Sequence, residues 1–278
     1  MAQDHRLQPQ RFELKYLIEE SIALPLRDFL SCHLELDEFG RRYPSLSYPV
    51  HSLYLDSDDL ATHQASINGT KNRFKLRLRY YDDRPDTPVF FEVKARVNDC
   101  ILKRRCGVRR PAVALLLAGQ LPDPEHLFSR EPRHWAALER FNYLLHQLNA
   151  RPKAHNRYQR EAWVSPHDNS IRITFDRQIQ LEPWFRPEAV IAMKQPALVA
   201  PEFVVLEVKF TARYPNWFEE MVRHFNLMRY ASAKYSQGVL LWGEHRFRGS
   251  RRDNEPVETP AAPLPAAAWR AEPALVED

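Results

Sequence analysis

Apolar and polar residues alternate with a period of two through much of this chain. Side chains on a β-strand point to opposite faces in turn, so such alternation predicts strands with one apolar face. Alternating or β-rich runs cover Gln10–Leu17, Pro49–Leu55, Arg73–Tyr81, Val89–Lys94, Ile101–Val108, Arg160–Val164, Ile171–Asp176 and Phe203–Phe210. Helical spacing predicts helices over Glu20–Cys32, Asp58–Ile67, Arg133–Leu148 and Asn216–Leu227. The last carries a stripe of Trp217, Phe218, Met221, Phe225 and Met228, expected to pack on the outside of the sheet. Asp56 stands just before Ser57-Asp58-Asp59-Leu60, where it is expected to cap the following helix. The mixed order of strands and helices predicts an α+β domain built on an antiparallel sheet or barrel.

The polar faces of these strands are almost entirely charged. Arg11, Glu13 and Lys15 share one face, as do Lys75, Arg77 and Arg79. Glu92 lies with Lys94, Lys103 with Arg105, Arg172 with Thr174 and Asp176, and Glu207 with Lys209. These faces carry ten basic and four acidic side chains, a balance of +6 against +4 for all 278 residues. A solvated antiparallel sheet also alternates, but its wet face is usually mixed with neutral polar residues. The other arrangement closes the sheet into a barrel, with the charges lining its lumen and the apolar faces turned outward under the helices. Such a lumen is tolerable only with acidic partners, bound anions and water, because unpaired buried cations are costly.

Composition narrows the remaining possibilities. With 44% hydrophobic residues the chain can bury a core. No Gly-rich or Ser-rich linker divides residues 1–252, which are expected to form one domain, while the Pro/Ala-rich segment 253–278 is expected to be a disordered tail. No apolar run approaches the roughly 20 residues of a membrane span. The N-terminus lacks the apolar region of a secretory signal, so a cytoplasmic location is expected. Cys32, Cys100 and Cys106 form neither a disulfide framework nor a zinc motif. Walker A, protein-kinase, G-x-S-x-G and H-E-x-x-H motifs are all absent.

A positive lumen with interspersed carboxylates suits a polyanion together with a divalent cation. Arg recognises phosphate through a planar fork and Lys as a compact charge. Carboxylates hold Mg²⁺ or Mn²⁺, which neutralises charge on phosphoryl oxygens. Glu13 and Glu92 are candidate ligands or else position the neighbouring lysines, Lys75 and Arg105 are candidate substrate contacts, and Asp176 is a structural partner. Arg77 and Arg79 could instead serve as salt-bridge partners of Glu92 or Glu13.

In order along the chain, R-F-E-L-K-Y (11–16), S-L-Y-L-D (52–56), K-L-R-L-R-Y-Y (75–81), F-E-V-K (91–94), K-R-R (103–105), Y-Q-R (158–160), R-I-T-F-D (172–176), L-E-V-K-F (206–210) and K-Y (234–235) form a pattern. It resembles the VTC domain, the catalytic domain of the vacuolar transporter chaperone complex and its bacterial relatives, within the triphosphate tunnel metalloenzyme superfamily. The resemblance implies a tunnel of antiparallel strands that transfers the γ-phosphoryl group of ATP to a growing polyphosphate chain and releases ADP. It carries phosphate binding to Lys15, Arg77, Arg79, Lys94, Lys103, Arg160, Arg172, Lys209 and Lys234, with Tyr158 beside them and Glu207 as the ligand of Mn²⁺ or Mg²⁺. The family's usual S-K-Y is here Ser232-Ala233-Lys234-Tyr235, and the membrane helices of the eukaryotic complexes have no counterpart, so a stand-alone catalytic domain is expected, or one whose membrane partner is a separate polypeptide. ATP and inorganic polyphosphate are the expected partners, and nucleic acid is not. Hydrolysis of triphosphates in the same tunnel, or polyphosphate binding without catalysis, also fits the residues.

Overall fold

The computed structural model describes residues 11–249 except 99, 167, 169, 212, 213, 231 and 232, and describes no side chain for Arg11 or Cys100. The expected tail at 253–278 lies outside the described residues, as does Ser232. Ten strands form one antiparallel sheet: β1 (Arg11–Glu19), β2 (Glu35–Leu36), β3 (Tyr48–Asp56), β4 (Arg73–Tyr80), β5 (Val89–Val97), β6 (Cys100–Val108), β7 (Arg151–Val164), β8 (Ile171–Pro183), β9 (Ala197–Leu198) and β10 (Phe203–Thr211). Among the described residues six α-helices accompany them: α1 (Glu20–Ser31), α2 (Ala61–Ile67), α3 (Arg110–Leu117), α4 (Pro132–Gln147), α5 (Asn216–His224) and α6 (Lys234–Trp242).

The hydrogen-bonded path runs β1-β10-β8-β7-β3-β4-β5-β6, with β2 on β7 and β9 on β8. The sheet curls until its ends face one another, and Lys94 on β5 reaches Glu13 on β1 at 2.9 Å across the seam. This is the α+β, barrel-like fold that the alternation predicts.

Apolar outward faces fix the helices in place. Leu76, Leu78, Phe91 and Val93 pack with Leu138 and Phe141 of α4 and Val113 of α3. Tyr16, Leu206, Val208 and Phe175 pack with Leu26 and Leu30 of α1 and Phe218 and Met221 of α5. The expected α5 stripe holds for Phe218 and Met221, but Met228, beyond the end of that helix, is 73% exposed.

Helix α6 behaves differently. It packs on the inward-facing residues of β3, β7 and β8: Tyr235 stacks on Tyr54 at 4.8 Å, and Val239 and Trp242 join Ala154, Ile179 and Leu181. It thereby closes one end of the lumen. Among the described residues no helix is long and apolar enough to cross a membrane.

Candidate functional site

Strand register places the candidate cations on one continuous inward surface. Lys75, Lys94 and Lys103 line up across β4, β5 and β6, and Arg77, Glu92 and Arg105 form the next rung. Lys15 opposes Glu207, and Glu207 opposes Thr174. Lys209 is level with Glu13 and Arg172, and Arg160 lies between Tyr48 and Asp176. Lys234, at the N-terminus of α6, reaches the same surface, with its Nζ 2.7 Å from Asp176 and 5.1 Å from the Tyr158 ring centroid. The residue order Ser232-Ala233-Lys234 is thus compatible with a lysine pointing inward.

Each carboxylate is ringed by cations. Glu92, fully buried, meets Arg77 at 2.7 Å, Lys103 at 2.8 Å and Arg105 at 3.4 Å. Asp176, also fully buried, accepts two 2.7 Å bonds from Arg160 as well as Lys234. Glu13 takes Lys94 at 2.9 Å and Lys15 at 3.4 Å, and Glu207 takes Lys209 at 2.9 Å with Arg160 at 3.8 Å. Arg79 donates to the Tyr158 hydroxyl at 3.0 Å. Arg77 therefore does make the salt bridge that sequence left open, while remaining on the lumen wall.

These contacts set the protonation of the site. Burial pushes the Glu207 carboxyl up, but Lys209, Lys15, Lys94 and Lys234 outweigh it and hold the group well below its ordinary range. Asp176 is likewise opposed by burial and brought down to about 2 by Arg160 and Lys234. The cations divide: burial lowers Lys15, Arg77 and Arg160, but Glu207 and Glu13, Glu92 and Asp176 respectively outweigh it and raise them, whereas other lysines are lowered. Burial, then Lys15 and Lys94, lower Lys75 to about 7, and among the described residues it has no carboxylate partner. Burial also outweighs Glu92 at Lys103, lowered to about 7, and Glu207 at Lys209, lowered to about 8. Carboxylates are kept charged, and several lysines lack enough negative charge.

Eleven candidate cations thus share this surface with four carboxylates, and Asp37 is a fifth that the sequence reading misses. Asp37 is buried beyond β2 and accepts Arg172 at 2.8 Å and the Tyr48 hydroxyl at 3.2 Å. It follows a two-residue strand and has no periodic neighbour, so its sequence carries no signal. Tyr48 and Tyr54 also escape notice, because β3 is buried on both faces and its inward residues do not read as a polar face. Arg79 Nε, Ser52 Oγ and Thr174 Oγ1 are buried on the inward side with no hydrogen-bonding partner among the described residues.

The three candidate metal ligands separate. Glu13 and Glu207 are diagonal neighbours on β1 and β10; burial and the Glu207 charge push the Glu13 carboxyl up, but Lys15, Lys94 and Lys209 hold it below its ordinary range. Glu92 stands on β5, enclosed by its own three cations. Among the described residues no group of three His, Cys, Asp or Glu side chains is spaced to hold an ion. A pair of carboxylates still suits Mg²⁺ or Mn²⁺, which commonly takes one or two from the protein and further oxygens from substrate phosphates.

A lumen of this kind, walled by Arg and Lys at strand positions 15, 77, 79, 94, 103, 160, 172 and 209, agrees with a comparison of the whole sequence. The profile of the VTC domain family matches residues 10–242. The chain belongs to the VTC domain family. It is also similar to the vacuolar transporter chaperone complex subunit 4 of Schizosaccharomyces pombe, 21% identical over 243 residues. That alignment takes in 75% of this chain and 34% of the relative, so this VTC domain spans about a third of the longer protein. Among solved structures, it is similar to the bh2851 protein of Bacillus halodurans, with a TM-score of 0.45 and 13% identity over 81% of this chain and 94% of that one. The PH1819 protein of Pyrococcus horikoshii gives a TM-score of 0.41 and 12% identity over 83% of this chain and 98% of that one.

Proposed function

We propose that this VTC domain is a metal-dependent polyphosphate polymerase that transfers the γ-phosphoryl group of ATP to a growing polyphosphate chain. The observation that carries this reading is the imbalance of the lumen: eleven candidate cations against five carboxylates, with Lys75 and the buried Arg79 Nε left without acidic partners. A linear polyanion meets that imbalance along its whole length, whereas a single small anion does not. Phosphoryl transfer asks little covalent chemistry of a protein, because positioning and electrostatic stabilisation supply most of the rate.

The geometry supports the following roles. Arg77, Arg79, Arg160 and Arg172 hold equatorial phosphate oxygens through their planar forks, with Glu92, Tyr158, Asp176 and Asp37 fixing the guanidinium planes. Lys15, Lys94, Lys103, Lys209 and Lys234 supply point charges along the chain. Glu207, with Glu13 beside it, would hold a Mn²⁺ or Mg²⁺ ion, which supplies positive charge at the phosphoryl oxygens when bound. A cytoplasmic location and a partner protein complete the proposal, the partner being supported by the relative's name as a complex subunit.

The test incubates wild type and Glu207→Gln with ATP and Mn²⁺ and resolves products by gel and phosphate release. Wild type is expected to make long chains, and the variant to lose turnover while still binding polyphosphate in chelator. Free phosphate alone would instead indicate a hydrolase, and unchanged ATP a binding module. Full turnover by Glu207→Gln would remove that residue from the mechanism.

A further inference from the structure

The end of the lumen opposite α6 is rimmed by aromatic rings. Tyr48 begins β3, six residues along the same inward face from Tyr54, which packs on α6. Its ring lies 5.7 Å from Phe39 on one side and 6.2 Å from Tyr81 on the other, and Tyr81 meets Phe90 edge-on at 6.2 Å. Tyr48 is buried, whereas Phe39 is 47% and Tyr81 37% exposed. One exposed aromatic residue needs no explanation, but a ring-to-ring series at the mouth of a cationic cavity does.

The rim is built, and it adjoins phosphate-binding residues. The backbone N–H of Gly40 donates to the Asp37 carboxylate at 2.8 Å, and a Cβ on Gly40 would stand 2.8 Å from the carbonyl oxygen of Leu46. The tight turn that follows Phe39 therefore requires glycine, and it holds Phe39 beside Tyr48. The same Asp37 accepts Arg172, whose guanidinium also reaches the Tyr48 hydroxyl at 3.3 Å. Phe90 is opposite Arg79 across β4 and β5, and the Arg105 guanidinium lies 3.5 Å over its ring. Arginines that suit phosphate and rings that suit a planar heterocycle thus meet at one place.

We propose that Phe39 and Tyr81, backed by Tyr48, form a stacking platform for the base of a nucleoside triphosphate whose phosphates enter the lumen at Arg79, Arg160 and Arg172. This inference rests on the reading that a nucleoside triphosphate is the phosphoryl donor. Stacking uses the π-face that every base presents, so the platform favours nucleotides over inorganic phosphates and discriminates little between adenine and guanine.

The experiment measures binding of ATP, GTP and inorganic tripolyphosphate in chelator by calorimetry, for wild type, Phe39→Ala, Tyr81→Ala and Tyr81→Phe. Both alanine variants are expected to lose ATP and GTP affinity by roughly tenfold, the lower part of the range for one stacked base. Tripolyphosphate affinity should stay constant, and Tyr81→Phe should keep ATP affinity. Equal losses for ATP and tripolyphosphate, or no loss for ATP, would overturn the platform. If the wild type still makes polyphosphate from ATP, only the platform falls. A wild type that binds tripolyphosphate but not ATP would overturn both the platform and the assignment of ATP as donor.

Discussion

Adjacent residues on one strand here serve different purposes. Arg77 faces the lumen beside Glu92, while Leu76, fully buried, faces the core under α4. Arg77→Ala should weaken tripolyphosphate binding with the fold intact, whereas Leu76→Ala should destabilise the protein by roughly 2 to 5 kcal/mol with little change in binding by the folded fraction. Chemical denaturation alongside calorimetry separates the two, and equal unfolding by both would refute the assigned faces. The lysines add a pH dependence. Lys75 and Lys103 are lowered to about 7 and Lys209 to about 8, all chiefly by burial. Polyphosphate requires their charged forms, so affinity should fall as pH rises through about 7 to 8. Free-protein stability should change in the opposite direction. Unfolded lysines titrate near about 10.4, so above the folded values the unfolded chain binds more protons and stability rises with pH. Tripolyphosphate titrations at about pH 6 and about pH 9 would show this, and Lys75→Met should flatten the trend. A pH-independent affinity would contradict it. Most of these residues were legible because each is polar between apolar neighbours. Asp37 and Tyr48 were not, since one follows a two-residue strand and the other begins a strand buried on both faces.

Among the elements, β1, β4, β5, β6 and β10 could be read almost to their ends, because one face meets the lumen and the other an apolar core. The first part of β7 could not. Along Arg151–Gln159 polar residues occupy both faces: Lys153 is buried against Asp58 at 2.7 Å, and His155 lies 3.0 Å from His51 outside the lumen. In β8 the reading stops at Asp176, because Gln178 adopts a φ of 50° and the pairing with β7 shifts register there. Helix α6 was missed because it is short and carries Gly238 in its interior. That glycine is needed, since a Cβ there would overlap the side chain of Leu181. The expected cap was found with an offset: α2 begins at Ala61, and Asp56 accepts the N–H groups of Thr62 at 2.9 Å and His63 at 3.0 Å. It also accepts the Tyr235 hydroxyl at 3.0 Å, which ties α6 to the same carboxylate. Asp56→Ala leaves these donors without their acceptor, and should cost at least about 2 kcal/mol of stability by thermal or chemical denaturation. A loss below about 0.5 kcal/mol would show that water replaces the carboxylate.

Across the whole molecule, a curled sheet encloses a surplus of positive charge that, in the proposed function, one linear polyanion satisfies. The Lys94–Glu13 bridge across the seam is part of that enclosure, and it brings Lys94 of β5 to Glu13 of β1, the strand beside β10. A chain of phosphates lying along this surface would touch cations on β1, β4, β5, β7, β8 and β10 together. Affinity should then climb with chain length and fall with salt as screening weakens each contact. The direct measurement is calorimetric binding of orthophosphate, pyrophosphate, tripolyphosphate and long-chain polyphosphate in chelator, for wild type and for Arg77→Ala. Affinity is expected to rise steeply from one phosphate to the length that fills the lumen and then level off, with Arg77→Ala weakening the longer ligands most. Equal affinity for all lengths, or long-chain binding that Arg77→Ala leaves untouched, would place the polyanion outside the lumen.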